Sequence, residues 1–140
     1  MKTVASLALL ILALSTMLVS PRDVAAQDSA ATGPVIAFEK TVHDYGTIEQ
    51  GANGQAEFKF TNRGTDPLIL SRARGSCGCT VPTWPKEPIA PGASATILVN
   101  YDTKRVGPIN KSVTVTSNCS KEPMKVLRIK GSVVLPEESE

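Results

Sequence analysis

Gln55-Ala56-Glu57-Phe58-Lys59-Phe60 is the stretch that decides the fold. Ala56, Phe58 and Phe60 fall on one face of an extended chain, and Gln55, Glu57 and Lys59 on the other. A period of two marks a strand with one face in a core and one in water. The same pattern continues outward along the chain. In residues 93–101, Ala95, Ile97, Val99 and Tyr101 oppose Ser94, Thr96, Leu98 and Asn100. Residues 111–116 place Val113 and Val115 against Ser112, Thr114 and Thr116, and residues 125–133 set Leu127, Ile129 and Val133 against Arg128, Lys130 and Ser132. Residues 35–39 and 67–70 are shorter apolar runs that also read as strands.

Turn chemistry falls between these runs. Tyr45-Gly46, Gly51-Ala52-Asn53-Gly54, Asn62-Arg63-Gly64-Thr65-Asp66-Pro67, Pro91-Gly92 and Gly107-Pro108 break the alternation where the chain has to reverse. Strands at that spacing predict an all-β fold, an immunoglobulin-like antiparallel β-sandwich of about seven strands. The antibody variety is excluded. Trp84 lies in a Pro-rich loop, and no Cys pair has the spacing that joins two sheets.

The N-terminus reads as an export signal. Lys2 precedes an apolar run over residues 4–19, Pro21 and Arg22 break it, and Val24-Ala25-Ala26 supplies small residues for a peptidase. The run is shorter than the roughly 20 residues of a spanning helix, with no positive cluster after it. The expected organisation is a signal peptide over 1–26, a loose segment over 27–34, the sandwich over 35–135 and a tail over 136–140. A periplasmic or secreted protein follows, with no membrane insertion after cleavage. Lys2, Arg22 and Asp23 leave with the leader, which lowers the net charge from +2 to +1. The remaining charges are scattered, with no basic stripe among aromatics, so nucleic acid is not an expected partner.

At this point the residues resemble a family. His43-Asp44-Tyr45-Gly46-Thr47-Ile48, Phe58-Lys59-Phe60-Thr61-Asn62-Arg63-Gly64 and Pro67-Leu68-Ile69-Leu70 carry the first half of the likeness. Ser76-Cys77-Gly78-Cys79-Thr80, Pro91-Gly92, Val99-Asn100-Tyr101-Asp102-Thr103, Gly107 and Gly131 carry the second. Together they resemble the exported bacterial Ig-like domains labelled domain of unknown function 1573, which look related to sandwiches of the major sperm protein type. The resemblance implies a fold and an extracytoplasmic setting, and no activity. Cys119 lies outside its pattern.

Two thiols one residue apart in an exported chain invite chemistry. Cys77 and Cys79 could bind Cu(I), or with His43 help bind zinc, since thiolate suits both metals. They could form a redox-active dithiol, or a bond with each other. One of them could instead pair with Cys119, leaving a thiol over. His43 beside Asp44 has the makings of an oriented base, against a plain turn in which Asp44 binds backbone N–H groups. Trp84, flanked by Pro82, Pro85 and Pro88, is either an exposed anchor for a partner or a cap on the core. No nucleophile elbow, zinc-binding His motif, phosphate-cradling loop or acidic dyad occurs. The expectation is a non-catalytic interaction or scaffolding module with a protein partner in the cell envelope and no cofactor. It would act through edge strands or end loops around residues 75–92. A copper- or zinc-binding protein and a thiol-redox accessory are the alternatives.

Overall fold

Alternation in the sequence becomes a core between two sheets in the computed structural model, which describes residues 32–138. The expected signal peptide over 1–26 lies outside the described residues. Eight strands form: β1 (Ile36–Phe38), β2 (Val42–Glu49), β3 (Gln55–Asn62), β4 (Leu70–Gly75), β5 (Thr80–Thr83), β6 (Ser94–Tyr101), β7 (Gly107–Ser117) and β8 (Met124–Val134). One sheet runs β1-β3-β6-β5 and the other β2-β8-β7-β4. The immunoglobulin-like sandwich is therefore the fold. Ala56, Phe58 and Phe60 are fully buried, as are Ile97 and Val99 across the sheet from them. The facing sheet contributes Val113, Val115, Leu127 and Ile129. Burying each of the two Phe side chains stabilises the fold by about 2–3 kcal/mol.

The count rises above seven because the first strand is split between sheets. β1 pairs antiparallel with β3, and after a short crossing β2 pairs parallel with β8 in the opposite sheet. That parallel ladder is the one departure from antiparallel pairing among the described strands. Tyr45-Gly46 is a bulge inside β2 rather than a reversal: the β2–β8 register shifts between Asp44 and Thr47, and Gly46 takes a positive φ of 65°. Pro67-Leu68-Ile69-Leu70 contributes only an isolated bridge from Leu68 to Ile89 before β4 begins at Leu70. Gly107-Pro108 opens β7 instead of preceding it.

One buried polar side chain ties the loops on one end. Asn62 has no exposure, and its amide is filled on both sides. Its Oδ1 accepts from Val35 and Gly64 N–H, while Nδ2 donates to the Asp66 and Ile89 carbonyls. A buried amide with four partners costs nothing in unmet hydrogen bonds and fixes three segments at once.

Candidate functional site

The chain from β4 to β5 has to pass from one sheet to the other, and Ser76-Cys77-Gly78-Cys79 is that passage. Backbone bonds hold it at both ends. Ser76 N–H donates to Ser112 O at 2.8 Å, Thr80 N–H to Cys77 O at 3.2 Å, and Asp102 N–H to Cys79 O at 2.9 Å. The turn curls tightly enough to bring the two Cys Cα atoms to 5.2 Å, inside the range a disulfide spans. Cys77 and Cys79 are bonded to each other. The loop so closed contains three residues, and by chain entropy such a loop stabilises the fold by only about 1.6 kcal/mol.

The sulfurs differ in access. Cys79 is buried, whereas Cys77 is half-buried and lines a cleft of about 730 Å³. Arg74, Gly78, Val81, Pro82 and Thr114 also line that cleft, which lies between the free edge of β4 and the free edge of β5. Thr80 is buried, and its Oγ1 lies 3.6 Å from Cys77 Sγ and 3.8 Å from Cys79 Sγ. Among the described residues the hydroxyl has no other hydrogen-bond partner. Gly75 lets the strands come this close, since a Cβ there would collide with the Thr80 carbonyl oxygen.

The remaining sequence candidates are dispersed. His43 sits on β2, the opposite edge of the sheet from β4, with β8 and β7 between them. Three strand spacings separate His43 from the Cys loop by on the order of 14 Å. The His43 ring meets Tyr45 edge-on at 4.6 Å between centroids, and Lys40 Nζ donates to Nδ1 at 3.1 Å. Burial, then the Lys40 charge, hold its pKa below 6.5, opposed by Asp44. Asp44 does what an Asx turn requires: Oδ1 accepts from Gly46 N–H at 2.8 Å. That bond is the chief reason its carboxyl titrates below the usual value, with Lys130 adding to it. The contacts of the pair among the described residues are Lys40, Tyr45, Phe58, Gly46 and Lys130.

Cys119 follows β7 at Ser117, whereas the Cys loop is bonded to Ser112. About seven residues of extended chain, on the order of 20 Å, separate them. Cys119 is a buried free thiol and does not reach Cys77 or Cys79. Cys77, Cys79 and His43, the three donors expected for zinc, do not converge on one ion. Two are joined in a disulfide, His43 is across the sheet, and among the described residues no group of three or more His, Cys, Asp and Glu converges. Trp84 packs against the core with Lys86 Nζ 2.9 Å from the ring centroid, a cation–π contact. Its Nε1 is buried without a partner among the described residues.

Sequence reasoning missed two parts of this site. Thr80 closes the Ser76–Thr80 motif, but its place between two sulfurs depends on the Gly75 contact across the turn, which the motif does not encode. The free edge of β4 was hidden because Ser71-Arg72-Ala73-Arg74 lacks a clean alternation of apolar residues.

Comparison with known proteins bears on the whole domain. The family described as "Protein of unknown function (DUF1573)" matches residues 36–133, nearly all of the sandwich. No curated protein matches the sequence. Among solved structures, a protein of unknown function from Porphyromonas gingivalis W83 superposes with a TM-score of 0.64 at 20% identity, covering 74% of this chain and 48% of that one. WR4, a C. elegans MSP family member, gives 0.51 at 9% identity over 73% of this chain and all of its own. The periplasmic chaperone SfaE gives 0.50 at 17% identity, over 74% of this chain and 57% of that one. At these identities the likeness is one of fold. This chain spans less than half of the P. gingivalis chain. Among the described residues no helix is long and apolar enough to cross a membrane.

Proposed function

The chain belongs to the family described as "Protein of unknown function (DUF1573)", and from that footing we propose that it is an exported, non-catalytic interaction module. It takes an extended acidic segment of an envelope protein along the free edge of β4. The observation that carries this reading is the contrast between the two edges that flank the cleft. β5 contains Pro82, which has no N–H to offer and is tolerated only at an edge. β4 contains no proline and, past a register shift between Leu70 and Arg72, ends its sheet with open backbone groups along Arg72 to Gly75. A strand added there would place alternate side chains beside exposed Arg72 and Arg74, and the others over buried Ala73 toward the cleft. Opposite charges at cross-strand positions are favourable, so acidic residues alternating with small apolar ones fit. Export is supported by the leader-like start of the sequence and by the disulfide, a bond typical of oxidising compartments.

The test uses a synthetic eight-residue peptide alternating Val and Glu, with amide hydrogen exchange as the readout. Binding is expected to slow exchange at the open amides of residues 72–75, and the Arg72→Glu, Arg74→Glu variant to bind about tenfold more weakly. Protection on β1 or β2 instead, or binding indifferent to both arginines, would refute the β4 reading. Export is checked separately: the envelope fraction is expected to hold a mature chain starting at Gln27.

A further inference from the structure

We propose that Cys77–Cys79 is a thiol–disulfide exchange site, with Cys77 the sulfur attacked, Cys79 the leaving thiolate, and a closely spaced dithiol as the substrate class. The inference is independent of peptide docking at β4 and stands or falls without it.

Four observations converge on it. First, the sulfurs are unequal: Cys77 lines the 730 Å³ cleft while Cys79 is buried, so an incoming thiolate has one approach. Second, Gly78 between them does not take a positive φ, and a Cβ there would meet nothing within 4 Å. The backbone makes no demand for glycine at this position, and exposed Gly78 lines the cleft beside Cys77 with open space around it. Third, the Thr80 hydroxyl stands within hydrogen-bond reach of both sulfurs, so it can donate to whichever one carries the charge during exchange. Arg74 lines the same cleft and adds a cation, a setting that favours thiolate. Fourth, the bond closes a three-residue loop. A disulfide that adds little to the fold gains equally little from it, by linkage, so the folded domain does not hold the pair oxidised against reduction. Bonds of that kind are labile ones rather than structural ones.

The step balances as follows. A partner thiolate attacks Cys77 Sγ, a mixed disulfide forms, the Cys77–Cys79 bond breaks, and Cys79 leaves as a thiolate that accepts from Thr80 Oγ1–H. The partner's second thiolate attacks its own sulfur in the mixed disulfide and expels Cys77 as a thiolate. The partner dithiol is oxidised to a disulfide by two electrons, the protein disulfide is reduced to two thiols, and the protons released by the partner end on Cys77 and Cys79.

The experiment equilibrates the full folded chain in glutathione buffers of graded ratio, traps thiols by alkylation and reads intact mass beside near-ultraviolet circular dichroism. Two alkyl groups, mapped to Cys77 and Cys79, are expected within the glutathione range while the spectrum stays native and buried Cys119 stays unmodified. With dithiothreitol as the dithiol, one equivalent is expected to be oxidised per chain. In Cys79→Ser, glutathione disulfide is expected to leave one glutathione on Cys77, whereas Cys77→Ser leaves Cys79 bare. Thr80→Val is expected to slow exchange about tenfold, the effect of losing one hydrogen bond to a charged group, with Thr80→Ser close to wild type. Alkylation that requires guanidinium unfolding, or glutathione carried equally by either cysteine, would overturn the proposal. An unchanged rate in Thr80→Val would remove the hydroxyl from it.

Discussion

The two edges of the β2-β8-β7-β4 sheet are guarded to different extents. At β2 the edge is shut. The bulge at Asp44–Thr47 twists it, Gly46 and Gly131 pack backbone to backbone, and the Tyr45 hydroxyl donates to Gly54 O at 2.6 Å. Asp44 adds a surface ion pair to Lys130 at 3.6 Å. β4 carries a register shift of its own between Leu70 and Arg72, but from Arg72 to Gly75 it pairs regularly with β7. The strand stops at Gly75, the chain crosses to the other sheet through the disulfide loop, and the edge looks onto a cleft. A bulge protects an edge where it falls, so the regular stretch from Arg72 to Gly75 is where this edge stays open to contact. The Cys loop lies at the open edge, and His43 at the shut one.

Glycine contacts set the geometry of both edges, and substituting them is the strongest way to break the comparison. Gly75→Ala would drive a Cβ into the Thr80 carbonyl, which is backbone and cannot move aside. Gly131→Ala would place one 2.7 Å from Gly46 O at a φ of 147°, which is strained for alanine in any case. Each is expected to cost about 3 kcal/mol in urea unfolding, the upper range for overpacking. If Gly75→Ala alone proved neutral, the close crossing at Thr80 would not be a fixed feature of the open edge.

The disulfide comes next in size. Cys77→Ser with Cys79→Ser is expected to lower stability by about 1.5 kcal/mol, because only a three-residue loop is released. A loss of 4 kcal/mol or more would make the bond a structural staple and the open edge a rigid one. On the shut side, Tyr45→Phe removes one hydrogen bond and is expected to cost about 1 kcal/mol. Burial, and then Tyr101 nearby, push the Tyr45 phenol up from 10.0 to about 12. Its raised pKa favours the neutral form in the folded state. The contribution is therefore whole below pH 10 and is lost as pH rises from 10 through about 12. Wild type is expected to lose stability across that window more steeply than Tyr45→Phe, read from unfolding midpoints.

Much of the sandwich was legible because burial leaves a period. Residues 55–60 announced β3 since Ala56, Phe58 and Phe60 all enter the core. β2 was not legible. Tyr45-Gly46 looks like a reversal, and only the partner strand shows that it is a bulge accommodated by Gly131. β4 was blurred for the opposite reason: an edge strand with Arg72 and Arg74 outward and only Leu70 and Ala73 buried has too few apolar positions to set a pattern. At the site, the sequence supplied the two cysteines but left their partners open among each other, Cys119 and a metal. Distance decides that question, and distance depends on which strands are neighbours. Val42 to His43 lands beside β8 by a crossing between sheets that no local motif encodes.

The smallest effect separates a closed edge from a functional His. His43 is depressed in pKa chiefly by burial, then by Lys40, so the folded state binds its proton less readily than the unfolded chain does. Folded-state stability tied to His43 is accordingly present above pH 6.5 and declines as pH falls through its lowered value. Asp44, depressed mainly by its bond to Gly46 N–H, adds a further decline at lower pH, below 3.8. Comparing wild type with His43→Gln across pH 7 to 5 is expected to show a shallow slope in the first and a flatter one in the second. The exchange rate of the Cys77–Cys79 pair should be the same in both, since β8 and β7 stand between them. A rate that followed the His43 substitution would couple the two edges, and the division of the sheet into a shut side and a working side would fail.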